Sequence, residues 1–182
     1  MASRTIHNPA ARDVVTFLEL ASETGGARTV IENRCSPGGG VPLHYHHAFD
    51  EELIAVDGPL TVTLGHRTMV LQPGERVMVP RGTPHSYRNA TAGDVTFHAN
   101  LAPGAPGFEN FLRVMAGLAR DGETKPAGMP KDFKTLAMLL RWADTNMSGP
   151  LRLMNPLMAW VAARAEAEGA GARLREKYDC EV

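Results

Sequence analysis

His44, His46, Glu51 and His85 are residue types that bind a transition metal, and their spacing lets them act together. His44 and His46 lie two apart, so on a strand both rings leave the same face. Glu51 follows a bend at residues 48–50 and opens the next strand, which can return its carboxylate to that face. His85 and Tyr87 share one face of a later strand, reached through a proline-rich bend from Pro80 to Pro84. Three imidazoles and one carboxylate converging inside a barrel make a first-row transition-metal site with three nitrogens and one oxygen. Such a site leaves room for water, dioxygen or a substrate.

Other residues are candidates for the work around such a metal. Glu51 is a ligand and, once detached, a proton acceptor. Tyr87, in phase with His85, is a candidate to line the pocket as a catalytic or substrate-binding group. His98 and Arg34 are further substrate-binding candidates: the first is a histidine on the last strand, whose phase the sequence leaves open. The second is a cation ahead of the metal segment that could meet an anionic substrate, or else a surface arginine. His47 is out of phase with His46 and is expected to face solvent. Asn89 is expected to bond turn backbone. His7 and His66 have no supporting context.

These residues need a β scaffold. Segments 14–20, 28–34, 60–64, 76–79 and 95–101 are short, rich in β-branched and aromatic residues, and separated by turn signals such as Gly25-Gly26, Asp57-Gly58-Pro59 and Pro73-Gly74. Many short strands at this spacing predict a sandwich or barrel. Segments 53–56 and 77–79 are apolar on both faces, which predicts a cover on the outside, either the C-terminal part of the chain or a second subunit. After Pro106 the pattern becomes helical: Phe108, Phe111, Leu112, Met115, Leu118 and Ala119 form one stripe, and Phe133, Leu136, Leu140 and Ala143 repeat the spacing. Asn155-Pro156 reads as a helix start with Asn155 as N-cap. The division is a β-barrel over residues 1–105 and a helical extension over 106–182.

With 182 residues, 43% of them hydrophobic and 21% charged, the chain can bury a core. A formal net charge of −1 gives no electrostatic reason to expect a nucleic-acid partner. Cys35 and Cys180 fit neither a metal motif nor a disulfide framework. The most apolar stretch, 151–163, is broken by Arg152 and Asn155, so no membrane span is expected, and a cytoplasmic location is the default.

The chain resembles the cupin superfamily. Gly38, His44, His46, Glu51 and Gly58 match its first conserved motif in type and spacing, and Gly74, Pro80, Gly82, His85 and Asn89 match its second. The resemblance implies a double-stranded β-helix, a mainly β jelly-roll barrel to which the helical extension is appended. It also implies that His44, His46, Glu51 and His85 hold a divalent iron, manganese, nickel, copper or zinc ion, and that the chain is a homodimer. The expected function is a metal-dependent enzyme of dioxygenase type acting on a small organic molecule in the barrel. A non-redox isomerase or cyclase and a non-catalytic small-ligand sensor are the alternatives.

Overall fold

Alternating apolar and polar residues give most strands of the first hundred residues one face to bury. The computed structural model describes residues 3–126, 128–178 and 180. Ten strands precede the helices: β1 (Thr5–Asn8), β2 (Asp13–Glu19), β3 (Thr29–Cys35), β4 (Gly40–Tyr45), β5 (Asp50–Asp57), β6 (Leu60–Leu64), β7 (Arg67–Leu71), β8 (Arg76–Val79), β9 (His85–Arg88) and β10 (Val95–Ala102). Then come α1 (Pro106–Arg120), α2 (Phe133–Trp142), a short strand β11 (Asn146–Met147), a 3-10 turn (Gly149–Met154), α3 (Asn155–Ala167) and α4 (Ala170–Lys177).

The strands form two antiparallel sheets, in the orders β1-β2-β3-β10-β5-β8 and β11-β4-β9-β6-β7. The chain crosses repeatedly between them, as the expected jelly roll requires. The inward residues Phe17, Ile31, Leu53, Leu60, Val62, Phe97 and Leu101 form one core. Full burial of each such side chain is worth about 1.5–3 kcal/mol.

The helices are built onto this barrel. α1 sends Phe108, Leu112 and Ala116 into the barrel's own core. Its buried Glu109 accepts hydrogen bonds from the backbone nitrogen of Ala21 (2.8 Å) and the Thr29 hydroxyl (2.5 Å). α2 lies between two partners: Leu139 packs with Val114 and Leu118 of α1, while Ala137 and Met138 pack with Met158, Ala162 and Ala165 of α3. No helix among the described residues is long and apolar enough to cross a membrane.

Two expectations for this region need correction. Phe133 is 45% exposed instead of buried. Asp132 caps α2 by accepting from the Thr135 backbone nitrogen (2.7 Å), which leaves Phe133 at the helix entrance, and the two-sided packing moves the buried positions to Ala137, Met138 and Leu139. Asn155 is not an N-cap, because the 3-10 turn runs straight into α3 and Asn155 already has helical backbone angles. Its side chain instead accepts from the Met147 backbone nitrogen (3.1 Å) and donates to the Tyr45 hydroxyl (3.2 Å). Of the two covers expected for the outer face of β5 and β8, the helices do not supply one, and Val56 and Met78 are 42% and 53% exposed.

One inward position on β2 carries a charge-bearing group. Asp13, on β2 in phase with Val15 and Phe17, has its Oδ1 buried with no hydrogen-bond partner. Burial pushes its carboxyl up to about 6, with the neighbouring Asn33 offsetting part of the effect. An unfolded aspartate titrates near 3.8, so between about pH 4 and 6 the folded state holds the extra proton and stability falls as pH rises. Asp13→Asn should therefore stabilise the metal-free protein by about 2 kcal/mol at pH 8, with the gain shrinking towards zero near pH 4. Urea denaturation of both proteins at the two pH values tests this; an equal gain at both would show that the gain does not come from the titration of Asp13.

Candidate metal centre

β4 and β9 pair so that His44 stands opposite His85. His46 follows one residue after β4, and Glu51 lies on β5 in the opposite sheet, paired to Val79 of β8 and Leu101 of β10. The proline-rich bend before β9 is fixed by a hydrogen bond from Gly82 to the His46 carbonyl (2.5 Å) and by the Asp50–Arg81 ion pair (3.0 Å). His46, Glu51 and His85 are buried and His44 is half-buried. One ring nitrogen from each histidine lies within 4.8 Å of those of the other two.

The hydrogen bonds decide which nitrogens face the centre. Each Nδ1 meets a backbone carbonyl: His44 that of Pro42 (2.8 Å), His46 that of Asp144 (3.0 Å) and His85 that of Thr83 (3.0 Å). A carbonyl only accepts, so each Nδ1 carries the proton, and each neutral ring keeps a lone pair on Nε2. Two of these lone-pair atoms, on His44 and His46, are 3.1 Å apart. Nε2 of His85 lies 2.9 Å from Glu51 Oε2 yet is not aligned for a hydrogen bond and is buried without a partner. Electron-rich atoms packed face to face repel unless a cation sits between them. Nitrogen and carboxylate donors with Nδ1 held by carbonyls are what a first-row metal requires, so the residues present fit the ion.

Electrostatics keep His44, His46 and Glu51 in their binding forms. Burial, with His85 and His46 nearby, pushes His44 down to about 4, and burial also lowers His46. Burial alone would raise Glu51, but the His85, His46 and His44 imidazoles outweigh it and hold its carboxyl below the usual range. Conversely, Glu51 raises His85 despite that ring's burial. The ring of His46 stacks on Phe49 (centroids 4.4 Å) and meets the edge of Phe108 from α1 (6.2 Å), so aromatic carbon shields this side of the cluster from water.

The structure brings His44, His46, Glu51 and His85 together and sorts the other candidates. Tyr87 points into the barrel, its ring edge-on to Phe97 (4.7 Å), and burial raises its hydroxyl well above the ordinary value, so it stays a protonated phenol. His98 and Arg34 require correction as substrate-binding residues. Their neighbours Phe97, Ala99, Asn33 and Cys35 take the inward phase, so both side chains leave the outer face: His98 pairs with Glu32 (3.2 Å) and Arg34 with Asp94 (3.4 Å). His47 is exposed and lies against Tyr45. Asn89 donates to the carbonyls of Cys35 and Gly93 (both 2.8 Å) and accepts from Thr91, tying up the turn after β9. Two residues that sequence reasoning did not place at the site touch His46: Phe108, visible only as one member of a helical stripe, and Asp144, which had no sequence signal. A cleft of about 540 Å³ lined by Ala21, Pro106, Glu109, Trp142 and Arg175, among others, includes none of the four clustered residues, and we assign it no part in the chemistry.

A jelly-roll barrel with an inward cluster of three imidazoles beside a carboxylate defines a class of β-barrel with a candidate metal site. Residues 34–101 match the family described as "Cupin domain". Among curated proteins it is similar to quercetin 2,3-dioxygenase of Bacillus subtilis (strain 168), 34% identical over 77 residues that make up 42% of this chain and 23% of that protein. The matched stretch thus spans about a quarter of that relative's length. Among solved structures it is similar to KdgF from Halomonas sp. (18% identity, TM-score 0.46, covering 50% of this chain and 78% of that one). It is also similar to the polyketide cyclase RemF from Streptomyces resistomycificus (24% identity, TM-score 0.45, covering 50% and 64%).

Proposed function

We propose that the protein is a metal-dependent enzyme of dioxygenase type that acts on a small organic molecule within the barrel. The observation that carries this reading is the fixed tautomer of all three histidines, which leaves a lone pair on each Nε2 in a cluster whose ring nitrogens lie within 4.8 Å of one another, with the Glu51 carboxylate 2.9 Å from His85. The resemblance to quercetin 2,3-dioxygenase supports the choice of reaction class. A divalent transition metal bound there would supply Lewis acidity and, if redox-active, the means to activate dioxygen.

The chain's own residues would supply the rest. His44, His46 and His85 hold their places through backbone carbonyls and turn Nε2 towards the cluster as nitrogen donors. Glu51, kept ionised by those rings, is a ligand whose oxygen can take a proton from an acidic substrate hydroxyl. Tyr87, held protonated, can donate a hydrogen bond to bound substrate but cannot act as a base at neutral pH. Phe49 and Phe108 limit water access beside His46.

The test has two parts. Protein purified without a metal-affinity column should contain near-stoichiometric iron, manganese, nickel or copper by mass spectrometry. The loaded protein should then consume dioxygen with a small aromatic substrate, quercetin being the first probe. Zinc as the resident ion would move the reading to a non-redox isomerase or cyclase. Failure to take up any of these metals would defeat the metal-enzyme reading and favour a ligand-binding module.

A further inference from the structure

Of the three Nδ1 acceptors, two are local: Pro42 and Thr83 each lie two residues from the histidine they hold. The third is not. His46 donates to the carbonyl of Asp144, 98 residues away, just beyond α2. Asp144 adopts a left-handed backbone conformation (φ 46°) that few residues other than glycine, asparagine and aspartate tolerate. Its carboxylate accepts from the backbone nitrogens of His47 (2.5 Å) and Ala48 (2.6 Å), clamping the bend that follows His46. Asn146 in turn donates to the Asp144 carbonyl (3.0 Å) and carboxylate (3.2 Å). Asn146 and Met147 form β11, which pairs with Tyr45 and His44 on the metal-facing strand, and Asn155 links Met147 to the Tyr45 hydroxyl. One continuous set of bonds therefore runs from α3 through β11 and Asp144 to a ring of the cluster.

We propose that Asp144 is a positioning residue for His46 and that docking of the helical extension and metal binding are coupled through it. This inference rests on the metal reading above and adds what that reading does not contain. The barrel supplies the donors, and the extension sets the tautomer and aim of one of them. Partners that orient a ligating histidine are typically worth about 10–100-fold in metal affinity. Coupling is reciprocal, so whatever the docked segment adds to metal affinity, the metal adds to the docking of that segment.

The experiment measures Co²⁺ and Zn²⁺ affinity by chelator competition on full-length protein, records the visible Co²⁺ spectrum, and follows backbone hydrogen exchange of residues 143–158 with and without Zn²⁺. Asp144→Gly keeps the left-handed conformation and removes the carboxylate clamp, whereas Asp144→Asn keeps one acceptor oxygen. The expected result is about 10–100-fold weaker binding and an altered Co²⁺ spectrum in Asp144→Gly. Asp144→Asn should stay close to wild type, and Zn²⁺ should slow exchange in 143–158 of the wild-type protein. Wild-type affinity in Asp144→Gly, or exchange in 143–158 indifferent to Zn²⁺, would overturn the coupling while leaving the metal reading intact. Wild-type protein that binds neither ion would instead defeat the metal reading itself. The exchange measurement needs no variant, so it decides the matter even if Asp144→Gly fails to fold.

Discussion

Replacing His46 with alanine is expected to weaken Zn²⁺ or Co²⁺ binding by about 100-fold or more, whereas His47→Ala should change it by no more than about twofold. The two residues are adjacent in sequence and chemically identical, so the contrast isolates direction. His46 turns its ring into the cluster, with Nδ1 on the Asp144 carbonyl and Nε2 3.1 Å from that of His44. Removing the ring takes one of three nitrogen donors and leaves the Asp144 carbonyl without its donor. His47 points outward against Tyr45, and only its backbone nitrogen, which alanine retains, is bonded to Asp144. Titration of each metal-free variant against a chelator, with circular dichroism to confirm the fold, measures the difference. Equal losses in the two variants would mean that the phase of the chain through residues 43–47 is not the one described.

The second large effect concerns a glycine. Gly40→Ala should destabilise the protein by about 4 kcal/mol or more and abolish tight metal binding, while Gly38→Ala should cost only about 1–2 kcal/mol. A Cβ on Gly40 would be driven into the Tyr87 carbonyl oxygen and would lie 2.9 Å from the Arg88 Cα. Both are backbone atoms of β9, paired to β4 at Gly40 and Val41, so neither can yield without opening the ladder that sets His44 opposite His85. Gly38 has a left-handed φ of 78° but nothing within 4 Å of where its Cβ would stand, so its cost is conformational alone. Thermal unfolding of the two variants beside wild type distinguishes the cases. Similar melting temperatures for both would show that β4 and β9 can separate at little cost.

The pair of glycines marks the border between what the sequence holds and what it does not. Gly38 stands out as the opening residue of a motif, while Gly40 looks like one more glycine in a loop. Only the approach of β9, 47 residues further along, makes it irreplaceable. The same border runs through the candidate site. The spacing of His44 and His46, the bend before Glu51 and the proline-rich turn before His85 were legible because each of these side chains is aimed by backbone within a few residues of it. Two of the three Nδ1 acceptors, Pro42 and Thr83, are equally local.

His98 and Arg34 show where periodicity alone gave out. Alternation says that one of two faces is buried, but the choice of face depends on which neighbours turn inward, and here Phe97 and Asn33 do so. Asn155 carries a helix-start signature that the preceding 3-10 turn overrides, and its side chain goes to β11 and Tyr45 instead.

The sequence by itself determined the barrel class, the change to helices near Pro106 and the three clustered histidines, because each depends on short-range spacing and side-chain chemistry. The tertiary structure decided that Asp144 and Phe108 reach His46, that Gly40 admits β9, and that His98 and Arg34 face away. Those facts depend on pairings between segments tens of residues apart, and no local pattern encodes the distance between them.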